Sequence, residues 1–212
     1  MHRCSGNTVP KKRIVKTPVF VFSIILSTIW LFLYSPGLLA GNPDGIKFFR
    51  NYPSEEYDDH VSNFYIMQDR DGVIYVANNE ALMMYDGVRW EKPGGKLTKV
   101  FSLGMDSRGT IYVGKQSDFG LIETGDSGKP QYRKLSELLP GEEKDNVKTV
   151  QDICLFRGHV LFRTNNRIYR YKPGNTEPEI FFKAEDNSKG INGFYICGND
   201  LYVKERKRPR HI

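Results

Sequence analysis

One strand-turn-strand pattern is written four times along this chain, and it restricts the possible folds more than any other feature. An alternating run enters a polar turn at Asp69-Arg70-Asp71-Gly72 and leaves as Val73-Ile74-Tyr75-Val76-Ala77. This is the pattern of a β-hairpin: a Gly-bearing turn followed by β-branched and aromatic residues. The design returns at Asp106-Ser107-Arg108-Gly109 before Thr110-Ile111-Tyr112-Val113, at Arg157-Gly158 before Val160-Leu161-Phe162, and at Gly198-Asn199 before Leu201-Tyr202-Val203. The markers Tyr75, Tyr112, Phe162 and Tyr202 lie 37, 50 and 40 residues apart. Periods of about 40–45 residues with several strands each point to the blades of a β-propeller.

Each full repeat accommodates the four strands that a blade requires. The first, 61–97, offers strands at 64–68, 74–77, 82–85 and 88–90, and Asp86-Gly87 between two apolar runs is the sharpest hairpin signal in the chain. The second, 98–148, owes its extra length to a Pro-, Glu- and Asp-rich insertion at 136–147, expected as a surface loop. The third covers 149–190, and the fourth, 191–203, contains half a blade. A short apolar stretch at 46–50, within the N-terminal strand-and-loop segment 41–60, fits the strand that closes a propeller by pairing with its last blade. The expected fold is all-β, an incomplete propeller of about three and a half four-stranded antiparallel blades after an N-terminal apolar helix.

The end of the chain breaks the pattern. Residues 204–212 alternate nowhere and are expected to have no strand character. One codon choice for 207–212, read one base later, spells Arg-Gly-Leu-Asp-Ile, which resumes a blade-like strand; the expectation is a longer protein cut short by a frameshift. A half-blade at 192–203 is then expected to expose an apolar face and an unpaired edge, leaving the chain prone to aggregate.

The formal charge of +6 resides in the two ends. Residues 1–40 hold five basic residues and no acid, and 204–212 hold five basic residues and Glu205, so the middle is net −3. A mildly acidic body has no electrostatic footprint for nucleic acid. The basic start, the apolar run at 19–33 and Ser35-Pro36-Gly37-Leu38-Leu39-Ala40 together have the layout of an export signal, cleaved after Ala40 or retained as a membrane anchor. Either way the body is expected to be periplasmic. Cys154 and Cys197 lie in apolar strand patterns, where a disulfide is permitted and two unpaired buried side chains are the simpler reading.

The series Asn63-x-x-Ile66-x-Gln68-Asp69-x-x-Gly72-x-Ile74-Tyr75-Val76-Ala77-Asn78, then Leu82, Tyr85-Asp86-Gly87 and Trp90, resembles the opening blade of the two-component regulator propeller sensors. Gly109-x-Ile111-Tyr112-Val113-Gly114 and Asp118-Phe119-Gly120-Leu121 resemble that family's next blade. Ala81 departs from the Gly usual there, and Phe64 from the usual Trp. The resemblance implies the front of an extracytoplasmic ligand-sensing propeller. In the family this precedes further blades, a triple-tyrosine domain, a membrane helix and a histidine kinase or helix-turn-helix output.

No nucleophile elbow, phosphate loop, His-Glu-x-x-His or Cys-x-x-Cys motif occurs, and His60, His159 and His211 are scattered, so neither catalysis, a cofactor nor a metal is expected. Asn78, Asn79, Asp86 and Asp118 sit at strand ends, where binding groups concentrate, and Trp90 and Phe119 offer rings for a sugar or other small extracellular ligand. Against this stand the turn preference of Asn and Asp and the role of aromatic rings in packing between blades. The alternative to a sensor is a secreted, non-catalytic lectin-like or protein-binding module.

Overall fold

The computed structural model describes Ser23, Leu26, Ser27, residues 50–175, 177–184 and 190–205, and the backbone of 209–211. The chain divides into two units, Met1–Asn51 and Tyr52–Ile212. In the first, Ser23, Leu26 and Ser27 are helical. The rest of the expected signal or anchor and the strand expected at 46–50, apart from Arg50, lie outside the described residues. Among the described residues no helix is long and apolar enough to cross a membrane.

The second unit opens with a four-residue helix, α1 (Ser54–Tyr57), and continues as four antiparallel sheets in chain order. Sheet 1 is β1 (Asn63–Gln68), β2 (Ile74–Asn78), β3 (Leu82–Tyr85) and β4 (Trp90–Glu91); sheet 2 is β5 (Val100–Met105), β6 (Ile111–Lys115), β7 (Asp118–Thr124) and β8 (Pro130–Lys134). Sheet 3 is β9 (Asp152–Phe156), β10 (His159–Arg163), β11 (Arg167–Tyr171) and β12 (Glu179–Lys183); sheet 4 is β13 (Ile191–Cys197), β14 (Asp200–Glu205) and β15 (Pro209–His211). Within each sheet every strand pairs with its sequence neighbours, the up-and-down order of a propeller-like blade.

Position within a sheet explains the strand sequences. The second and third strands of sheets 2 and 3 are buried over most of their length because a sheet covers each face. The outer strands β8 and β12 lie at the periphery and are mostly exposed. Three apolar clusters cement the stack. Tyr75, Leu82, Leu103 and Val113 lie between sheets 1 and 2. Tyr112, Phe119, Phe162 and Tyr169 lie between sheets 2 and 3, and Leu161, Ile168, Phe194 and Val203 between sheets 3 and 4. The inner strands come close enough that a Cβ on Gly114 would meet Ser102 Oγ at 2.2 Å and Val150 at 2.7 Å.

Three expectations are corrected. The insertion at 136–147 is more than a surface loop: it forms 3-10 helices at Ser136–Leu138 and Gly141–Asn146, and Leu139 and Val147 join the core between sheets 2 and 3. The basic tail does carry strand structure. β14 runs on through Glu205, and β15 pairs with it, Tyr202 opposite His211 and Lys204 opposite Pro209. An edge position tolerates Pro209 because the missing N–H can face away from the ladder. Cys154 and Cys197 are free thiols, but the expectation that both are buried fails for Cys197, which is exposed at the end of β13; Cys154 is half-buried, and burial pushes its thiol up to about 12.

Candidate functional site

The up-and-down order places the turns between second and third strands on the same edge of the stack as the connections between sheets. Backbone hydrogen bonds lace this edge together. Lys99 N–H donates to Asn79 O at 2.6 Å, Gln116 N–H to Lys99 O at 3.1 Å, Val150 N–H to Lys115 O at 3.0 Å, and Gln151 N–H to Arg163 O at 2.8 Å. The turns are therefore held on a rigid frame, a condition for a preorganised binding surface.

Two polar clefts open on this edge. One, of about 600 Å³, is lined by Asp59, His60, Glu80, Lys92 and Lys96; within it the Asp59 carboxylate, 3% exposed, pairs with Lys92 Nζ at 3.1 Å. The other, of about 380 Å³, is lined by Ser117, Lys134, Ser136, Glu137, Lys144 and Asp145. Its floor is a buried network: Ser136 Oγ donates to Asp118 Oδ1 at 2.7 Å, and Lys115 Nζ lies 3.6 Å from Asp118 Oδ2. Burial first, then the Asp118 carboxylate, push up the Tyr132 phenol. At the rim Lys134 donates to Glu137 at 2.9 Å, a contact that raises the ammonium and lowers the carboxyl. Such an edge offers charged donors and acceptors to a polar ligand. Among the described residues no three His, Cys, Asp or Glu side chains are gathered to hold a metal ion.

The six residues singled out in the sequence separate in space. Asn78, Asn79 and Asp118 belong to this edge. Asn78 is fully buried and spends its amide on the frame: Nδ2 donates to His60 O and to Asn63 Oδ1, and Oδ1 accepts from Glu80 N–H. Asn79 is half-buried, and its backbone bonds to Ser62 and Lys99. Asp86 caps a turn on the opposite edge, where Oδ1 accepts from Val88 and Arg89 N–H, both at 2.8 Å; those bonds hold its carboxyl below the usual range. Trp90 sits on the outward face of sheet 1 among Tyr52, Tyr57 and Tyr85, with ring centroids 4.8–5.7 Å away. Phe119 is in the core, stacked on Phe162 at 4.4 Å and on Tyr169 at 5.2 Å.

The Asp and Tyr that recur six residues apart in the sequence form a repeated device in the structure. In the first two hairpins a carboxylate pins its own turn and the tyrosine six residues later. Asp69 Oδ1 accepts from Asp71 and Val73 N–H, and Oδ2 accepts from the Tyr75 hydroxyl at 3.3 Å. Asp106 Oδ1 accepts from Arg108 and Thr110 N–H at 2.9 Å, and Oδ2 from the Tyr112 hydroxyl at 3.2 Å. Burial opposes ionisation of Asp106, but the Thr110 and Arg108 donors outweigh it and hold the carboxyl below its ordinary 3.8. Asp106→Asn is expected to lower the unfolding free energy by about 1–2 kcal/mol at neutral pH. Because the folded-state pKa is depressed, this stabilisation is present above the unfolded value and is lost as pH falls through the folded one. Denaturant titrations of wild type and variant should therefore converge at acid pH, and a gap independent of pH would refute the carboxylate's role.

No family model matches the chain, and no curated protein matches it in sequence. Among solved structures it is similar to the extracellular domain of a protein assigned to a one-component system of B. thetaiotaomicron, with a TM-score of 0.50 at 15% identity over 70% of this chain and 20% of that one. It is equally similar to the extracellular domain assigned to a hybrid two-component system of the same organism, with a TM-score of 0.50 at 14% identity over 66% of this chain and 20% of that one. The chain thus spans about one fifth of the length of these structures. At such identity the likeness carries the fold, and it is the fold that the resemblance of the first two repeats to sensor propellers implies.

Proposed function

We propose that this chain is the front of an extracytoplasmic sensing propeller, non-catalytic, that receives a polar extracellular ligand on the edge bearing the two clefts. The observation that carries this reading is the stack of up-and-down sheets shared with extracellular domains of B. thetaiotaomicron sensor systems. Its support at the site is the laced edge with Lys96, Glu80, Ser117, Lys134 and Asp145 around two clefts, a constellation suited to the hydroxyls and charged groups of a glycan. A propeller that senses passes the signal on by favouring one arrangement of its domains over another, so the output lies in segments beyond these sheets.

Export is tested with reporter fusions at Ile212. Alkaline phosphatase, active only outside the cytoplasm, is expected to be active and β-galactosidase inactive; the reverse pattern would sink the reading. Ligand class is tested by probing a glycan array with the full chain. Saturable binding is expected, abolished by Lys96→Glu with no change in thermal melt, and an array without a single retained glycan would remove the carbohydrate assignment.

A further inference from the structure

The first strands of neighbouring sheets approach one another, β1 against β5 and β5 against β9, so they form the inner side of the stack. Each begins at the laced edge, and there the same irregularity recurs. In β1, Phe64 falls between the paired residues Asn63 and Tyr65; in β5, Phe101 falls between Val100 and Ser102; in β13, Asn192 falls between Ile191 and Gly193. At β9, Gln151 N–H donates to Arg163 O although Asp152 is the register partner of Arg163, so two residues again face one. A β-bulge takes a side chain out of the pleat and re-aims it, and bulges are concentrated beside functional sites.

The re-aimed side chains differ along the stack. Phe64 and Phe101 meet with ring centroids 4.6 Å apart and planes tilted by 33°. Apolar cores cover both faces of sheet 2, yet Phe101 is only half-buried, so its ring meets solvent on the inner side. Gln151, at the equally covered sheet 3, is exposed; its Oε1 accepts from Arg163 at 2.9 Å, so its NH2 group remains as a donor. Asp152 is half-buried beside the same guanidinium, and Asn192 is exposed. Further blades would pack on the flat faces of sheets 1 and 4, whereas the inner side of sheets 2 and 3 faces the central channel of a propeller of any blade number.

A pyranose has C–H groups on its faces and hydroxyls around its rim. It therefore fits a site that joins an aromatic surface to a few fixed polar groups. Sheets pack about 10 Å apart, so the distance from the ring pair of sheets 1 and 2 to Asn192 in sheet 4 calls for several linked units. We infer that an oligosaccharide lies along this inner rim, one pyranose stacked on Phe64 and Phe101 and the hydroxyls of the following units bonded to Asp152, Gln151 and Asn192. The inference rests on the glycan-sensing reading above and extends the site from the two clefts to the bulged strand ends.

The test is calorimetric titration of the full chain with the glycan it retains most tightly on the array. Phe64→Leu keeps the apolar bulk but lacks the ring face, and it should raise Kd about tenfold with an unchanged thermal melt. Phe64→Trp should bind within about threefold of wild type and report saturation as a change in indole fluorescence. Asn192→Ala should raise Kd about fivefold, and Val88→Ser, on the opposite edge, should leave it unchanged. A packing role alone predicts the reverse for Phe64→Leu, a lower melt with Kd spared. Wild-type affinity in Phe64→Leu and Asn192→Ala, with binding still abolished by Lys96→Glu, would overturn the rim and leave the sensing edge standing. A Phe64→Trp chain that binds no better than Phe64→Leu would likewise overturn it, and a wild type that retains no glycan removes both the rim and the carbohydrate assignment.

Discussion

Phe119→Ala is expected to lower the unfolding free energy by about 3–5 kcal/mol, the range for emptying a buried aromatic site. That is a large share of the roughly 5–15 kcal/mol that separates a typical fold from its unfolded chain. The side chain has no solvent exposure, and its ring is stacked on Phe162 and Tyr169, which belong to the facing sheet. The vacated volume lies between two β-sheets whose backbones are tied by hydrogen bonds at the laced edge, so the site has little freedom to collapse. Phe119→Leu keeps most of the apolar volume and should cost about 1–2 kcal/mol. Urea unfolding measures both. A loss below about 1 kcal/mol for the Ala variant, accompanied by lost glycan binding, would return Phe119 to the ligand.

Arg163→Met should weaken the fold by about 2–4 kcal/mol at neutral pH. The guanidinium donates to Gln151 Oε1 at 2.9 Å and to Ile191 O at 2.8 Å, and its Nε lies 3.7 Å from Asp152 Oδ2. It thereby joins sheet 3 to the first residue of sheet 4. Burial lowers its affinity for the proton, which the Asp152 carboxylate opposes. Methionine retains the apolar stem but leaves the Ile191 carbonyl without this donor and Asp152 without this counter-ion; the 35% exposure of that carboxylate holds the effect below that of a fully buried pair. Burial already raises the Asp152 pKa, and Arg163 restrains the rise. A carboxyl with a raised folded-state pKa favours the fold at low pH, and that advantage fades as pH climbs through the folded value. The variant's deficit should accordingly shrink in acid. Chemical denaturation at neutral and acid pH checks this, and an equal deficit at both would assign the loss to the hydrogen bonds alone.

Most of the strand pairing was legible because a hairpin is a local object. Asp69 to Ala77 contains its own turn, its own alternation and its own partner strand, and the observed register of Gln68 with Ile74 follows from them. The third strand of sheet 4 was not legible, since Pro209, Arg210 and His211 have no alternation to display; they are in the ladder because β14 offers an edge. The insertion misled for a related reason. Its Pro, Glu and Asp content reads as solvated, whereas Leu139 and Val147 are anchored by a core that the insertion itself does not contain.

The candidate site was legible only as a neighbourhood. Asn78, Asn79 and Asp118 do lie on the turn edge, but Asn78 and Asp118 are buried and engaged in holding that edge. The side chains that line its clefts, among them Lys96, Glu80 and Lys134, are ordinary surface residues in sequence, with no spacing to mark them. Arg163 carried no signal either: one arginine at a strand end is unremarkable until a later sheet places Ile191 O beside it.

By itself, the sequence determined the repeat, the order of the strands and which runs are peripheral, because each of these depends on residues within a few positions of one another. The tertiary structure decided which polar groups are spent inside, which charges border a cleft, and which large apolar side chains, Ile66 and Tyr195 among them, stay exposed. Those outcomes depend on the neighbouring sheet: burial strengthens an unscreened charge or an unpaired amide, and only the packed stack determines what is buried.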